Sequence, residues 1–139
     1  MKTHALRLHR GDDLRQAIEA YVQAQHIKAG CILCGVGCVS RIRLRDASGV
    51  TIRELDAHGE IVSITGTVSE NRCHIHVSFA LEDLSVIGGH LCEGCIINTT
   101  CELVIEALDG IAFSAEYDPE TGYDELKIEQ IASDKEELT

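Results

Sequence analysis

The chain has 139 residues, which fits one domain with a proper core and falls short of two. Apolar residues make up 45% of it, so a disordered chain is excluded, and with aromatics at 4% and no Trp the core must be built from Ile, Val, Leu, Ala and Cys. A net charge of −11 opposes binding to a phosphate backbone, because nucleic-acid binders carry a basic face. No apolar run approaches the ~18 residues of a membrane span, and the N-terminus lacks a signal pattern. The expected location is the cytoplasm. The seven cysteines are then expected as thiols, and their odd number argues against a complete disulfide framework.

Residues 4–9 read as a short first strand. Gly11-Asp12-Asp13 supplies a turn and a helix N-cap. Leu14, Ala17, Ile18, Tyr21 and Val22 then fall on one face of a helix running to about His26. Cys31–Val39 is an apolar, glycine-containing run and reads as a buried strand. Residues 40–46 alternate as a half-exposed strand does. Further strands are predicted over 50–55, 60–69, Cys73–Leu81, Val86–Ile97, Thr100–Ala107, 111–117 and 123–130. Turns fall at Ala47-Ser48-Gly49, around Glu82-Asp83, at Asp109-Gly110 and over 118–122. One helix followed by many short strands predicts an α+β domain with a largely antiparallel sheet over residues 1–132. The charged segment 133–139 is expected to fray.

The chemistry concentrates in Cys73-His74-Ile75-His76-Val77 and Gly88-Gly89-His90-Leu91. His74 and His76 point to one face of a strand, with Cα atoms roughly 7 Å apart. A hairpin brings His90 from the next strand as a third ligand, and the two glycines allow close backbone approach or positive φ. Three neutral imidazoles with an open fourth position make a zinc geometry, so the expected cofactor is a divalent metal, zinc first, although Cu, Fe and Ni share the ligand preference. The competing reading is three histidines hydrogen-bonded within a packed face.

Cys31-x-x-Cys34 and Cys92-x-x-Cys95 resemble the halves of a zinc ribbon. Within a regular strand, however, a spacing of three puts Cys31 and Cys34 on opposite faces. Cys31, Cys34, Cys38, Cys73 and Cys101 lie in apolar runs and are expected to behave as small buried hydrophobes. Glu60 and Glu102 are candidate general bases or acceptors for a metal-bound histidine, weighed against plain exposure on a strand. Arg41, Arg43 and Arg45 alternate on one strand face. They form the only visible basic stripe, read as solvated rather than as a nucleic-acid contact.

Gly35-Val36-Gly37, Ile42-Arg43-Leu44-Arg45-Asp46, Glu60 to Thr67, His74-Ile75-His76-Val77-Ser78, Gly88-Gly89-His90-Leu91 and Thr100 to Val104 occur in an order that resembles the PPC (plant and prokaryote conserved) domain family over roughly residues 4–130. The resemblance implies a compact domain on a largely antiparallel sheet that assembles as a homotrimer. It also implies His74, His76 and His90 as the natural metal ligands. Plant members carry the domain behind an AT-hook that grips the minor groove, while prokaryotic members are usually the domain alone, called DNA-binding by analogy. The Arg-Gly-Arg-Pro core of the hook is absent from this chain, so no basic arm enters a minor groove. The expectation is a non-enzymatic homotrimeric assembly module with a three-histidine metal site, acting with itself or an unidentified protein partner. The alternatives are a metal-dependent, hydrolase-like enzyme with Glu60 or Glu102 as base, and a DNA-binding protein.

Overall fold

The computed structural model describes residues 1–133; the charged segment expected from Ser133 onward lies, past its first residue, outside the described residues. Nine strands and one helix run in the order β1 (Lys2–His9), α1 (Leu14–Ala24), β2 (Gly30–Arg45), β3 (Ile52–Leu55), β4 (Gly59–Val68), β5 (Cys73–Leu81), β6 (Val86–Leu91), β7 (Ile96–Ala107), β8 (Ile111–Asp118) and β9 (Tyr123–Gln130). All strand pairings are antiparallel. With a single helix of 11 residues among the described residues, the fold is mostly β rather than balanced between the two types.

The main sheet has the order β1-β7-β2-β4-β5-β6, with β3 added on β2. The sheet does not end at β6. Leu44 and Arg45 of β2 pair with Leu91 and His90 of β6, so β2, β4, β5 and β6 close on one another. Their inward residues include Val39, Ile42, Ile64, Ile75, Val77, Phe79 and Leu91, all nearly excluded from solvent. These form one continuous cluster with Leu14, Ile18 and Val22 of the helix. The helix therefore buries the face its periodicity marked. Its N-terminus is capped by Asp13, whose Oδ1 accepts from the Gln16 amide at 3.0 Å. It ends at Ala24, short of the expected His26, because His26 takes φ 52° and lets Ile27 turn back into the core.

Two sequence expectations change. The runs at 31–39 and 40–46 form one strand of 16 residues, carried around the molecule by register shifts at Ile32/Cys34, Gly37/Val39 and Val39/Arg41. The expected strand Val86–Ile97 is two strands, broken at Cys92–Cys95. Gly94 has φ 111° there, and its amide donates to Asp13 Oδ2 at 2.6 Å. That contact joins the bend to the helix N-cap.

Strands β8 and β9 form a separate two-stranded sheet. Phe113 anchors it: the side chain is buried, its amide donates to the Lys28 carbonyl at 2.8 Å, and its carbonyl accepts from Ser69 Oγ at 3.2 Å. No helix among the described residues is long and apolar enough to cross a membrane.

A three-histidine cluster on the outer sheet face

On β5 the residues Ile75, Val77 and Phe79 point inward, which turns His74, His76 and Ser78 to the outer face. The β5–β6 hairpin sets His76 directly opposite His90. Across the other edge of β5, Thr67 faces His74 and Thr65 faces His76. The glycines of Gly88-Gly89-His90 act through close approach. A Cβ on Gly88 would stand 2.8 Å from the Val77 carbonyl oxygen, and one on Gly89 2.6 Å from that of Arg45. Side chains there would push β6 off both of its neighbours.

The result is a compact triad. One ring nitrogen from each of His74, His76 and His90 lies within 4.8 Å of the others. The Nε2 atoms of His74 and His76 are 3.2 Å apart. The Nδ1 of His90 is buried with no hydrogen-bond partner, a costly state for a polar atom that binding would offset. Burial pushes His90 down to about 4, with the Arg45 and Arg15 guanidinium groups adding to the effect. Burial also lowers His74, followed by His76, Arg72 and Arg45, while Glu125 acts in the opposite direction. These two imidazoles are thus held neutral, the form in which histidine ligates a metal. The donor set, its convergence and the orphaned nitrogen all fit a divalent ion. An open depression of about 460 Å³ lies beside the triad, lined by Cys31, Thr65, Thr67, His74 and His76 among others.

Two groups that sequence reasoning missed stand around the site. Arg15 of α1 donates from Nη1 to the Leu91 carbonyl at 2.8 Å and from Nη2 to the Cys73 carbonyl at 2.9 Å. It therefore ties together the residues next to His90 and His74, and Glu19 holds its Nε at 2.7 Å. Glu125 on β9 is the acidic group whose charge reaches His74. Neither residue sits in a motif. Their placement depends on how the helix and the second sheet pack.

The other candidates lie elsewhere. Glu60 is exposed and pairs with Cys38 and Ala80. Ala80 is four residues along β5 from His76, about 13 Å at strand spacing. Glu102 is exposed on β7 opposite Arg7 and Val36, with β2 and β4 standing between β7 and β5. The structure brings neither glutamate to the histidines.

Arg41, Arg43 and Arg45 do share one face of β2, opposite buried Ile42 and Leu44. Arg41 and Arg43 both reach Glu54 at 3.3 Å, and Arg41 also lies 3.9 Å from Asp56, so two carboxylates offset two of the three charges. Arg45 instead pairs with His90 and belongs to the triad's surroundings.

All seven cysteines are free. The reading of Cys31 and Cys34 as facing opposite ways fails, because the shift at Ile32/Cys34 inserts an extra residue. Cys31 and Cys34 align with Glu106 and Val104, which share a face of β7. Cys34 is exposed rather than buried, whereas Cys95 and Cys101 are fully buried. Burial raises Cys101 to about 12 and Cys95 to about 11, as inert core thiols require. Among the described residues, the histidine triad is the one group of three or more potential ligands that converges.

Comparison with known proteins places this arrangement among relatives. The profile of the Plants and Prokaryotes Conserved (PCC) domain matches residues 1–109. A hypothetical protein of Salmonella cholerae-suis, 32% identical, superposes with a TM-score of 0.90 over 93% of this chain and 94% of that one. A metal-containing protein of Archaeoglobus fulgidus, also 32% identical, superposes with a TM-score of 0.77 over 91% of this chain and 94% of that one. The bifunctional protein GlmU of Synechococcus sp. (strain JA-2-3B'a(2-13)) is 37% identical over 134 residues, 96% of this chain. The chain spans about a fifth, 21%, of the length of the curated relatives it matches.

Proposed function

Because the chain belongs to the Plants and Prokaryotes Conserved domain family, we propose that it is an assembly module that holds one divalent metal on His74, His76 and His90 and associates as a homotrimer. The observation that carries the metal half is the convergence of three imidazole nitrogens within 4.8 Å. Zinc suits this ligand set, and three protein ligands leave a fourth position for a small molecule. When bound, the ion supplies Lewis-acid character at that position. The chain's own residues prepare the site: burial and the neighbouring guanidinium groups keep His90 and His74 unprotonated, and Arg15 fixes the strand ends that carry them. The likeness to a metal-containing protein at 32% identity supports the same reading.

The assembly half rests on apolar side chains left in water. Leu33 and Val36 on β2 and Val62 on β4 are 56%, 59% and 55% exposed, on strands whose alternate residues build the core. Covering such positions with other copies of the chain removes apolar surface from water.

The test is metal content by mass spectrometry on protein purified without an affinity tag, in parallel for the wild type and His76→Ala. The expected result is about one ion per chain in the wild type and loss in the variant. Absence of metal from both proteins after incubation with zinc would refute the metal reading.

A further inference from the structure

Arg45 stands out among the cations of this chain. The sequence has 12 basic against 23 acidic residues, so most cations have a carboxylate to meet. Every other arginine donates a hydrogen bond to a carboxylate, another side-chain oxygen or a backbone carbonyl. Among the described residues, the Arg45 guanidinium has no hydrogen-bond or carboxylate partner, yet it is only partly exposed.

Its position is specific. Strand register sets Thr65, His76, His90 and Arg45 in one row across β4, β5, β6 and β2. Neighbouring strands are about 4.8 Å apart, so the Arg45 backbone lies one strand from His90 and two from His76. Its side chain shares the outer face with both, since Leu44 and Leu91 beside them point into the core. An extended arginine side chain is longer than one strand spacing, enough to bring its guanidinium to the triad. On the β9 side Glu125 is offset by Arg72, which reaches the Asp124 carbonyl of β9 and acts on His74 ahead of Glu125.

A divalent ion on three neutral imidazoles keeps its full charge and an open position. Beside it, a planar guanidinium with free donors matches the oxygen pair of a carboxylate or a phosphoryl group. We propose that the site takes a small-molecule oxyanion, a carboxylate or a phosphoryl group, placed between the metal and the Arg45 guanidinium. This rests on the metal reading of His74, His76 and His90. Arg45 is then the residue that selects an anionic ligand over water or a neutral one.

The experiment uses the full chain loaded with Co²⁺, whose visible absorption reports a change in its ligands. Metal content is measured on each sample. Acetate and inorganic phosphate are titrated separately at constant ionic strength into the wild type, Arg45→Met and Arg45→Lys. The cobalt bands of the wild type are expected to shift saturably with at least one anion. Acetate alone would mark a carboxylate site, and phosphate alone a phosphoryl site. Arg45→Met should weaken that affinity roughly 10- to 100-fold at unchanged cobalt content, and Arg45→Lys should recover part of it. A cobalt-loaded wild type that responds to neither anion, or an Arg45→Met protein that titrates like the wild type, would overturn the inference and leave the metal site standing. A chain that retains no cobalt would overturn both.

Discussion

His90 is under two demands at once. It must be buried deeply enough to stay unprotonated beside Arg45 and Arg15, and it must keep a nitrogen free to bind. In the metal-free protein this has a cost that depends on pH. The unfolded chain protonates this imidazole near the ordinary histidine value of about 6.5, the folded chain only at about 4. Between those values the unfolded state holds more protons, so stability rises with pH across the interval and is lost as pH falls through it. Buried His4 and half-buried His74 shift in the same direction and add to the slope. Melting temperature of metal-free protein against pH should therefore decline from about 6.5 toward about 4. His90→Gln should flatten that decline without abolishing it.

At the level of elements, the triad depends on a helix that contributes no ligand. Arg15 of α1 holds the Leu91 and Cys73 carbonyls together and so sets the spacing of β5 and β6 at the end where the histidines stand. Arg15→Met keeps the aliphatic stem and removes both donors. Chelator competition should show zinc affinity reduced by roughly 10- to 100-fold, the range for groups that support metal ligands, with one ion still bound at saturation.

Nothing in the spacing of residues 10–20 announces this role, because it depends on tertiary packing. What was legible locally was the helix itself, from Leu14, Ile18 and Val22 and the Asp13 cap, and the pairing of His74 and His76, which follows from strand periodicity alone. The Gly88-Gly89-His90 motif was legible too, and its glycines serve close approach rather than positive φ. Bulges were not legible. A single inserted residue at Leu33 reversed the expected relation of Cys31 to Cys34. The break at Cys92–Cys95 falls inside a run read as one strand, where Glu93-Gly94 offered only a possible bend, and the link from Asp13 to Gly94 that fixes it joins residues far apart in sequence. Arg45 was visible only as one member of an alternating stripe. Its separation from Arg41 and Arg43 comes from the return of β6 to β2 and from Glu54 on β3.

For the molecule as a whole, the closure of β2, β4, β5 and β6 leaves an outer face that carries both the triad and exposed apolar residues. If copies of the chain cover that face, a charge at its apolar part should separate them. Sedimentation equilibrium at micromolar concentration is expected to give a trimer mass for the wild type and a monomer mass for Val36→Glu, with the circular dichroism spectrum unchanged. A wild type that sediments as a monomer would end the assembly reading. The same closure has a consequence for folding. All three histidines lie within the single β5–β6 hairpin, between Cys73 and Leu91, whereas Arg45 joins them only through the long-range pairing of β2 with β6. Hairpins close in about 1–10 μs, well before distant strands meet. A chain in which only this hairpin has closed thus brings the whole ligand set within reach of an ion, and an ion bound there would offset the marginal stability of an isolated hairpin. Metal would then bind the denatured ensemble as well as the native one, and the rise in melting temperature on adding zinc would fall short of what native-state affinity alone predicts.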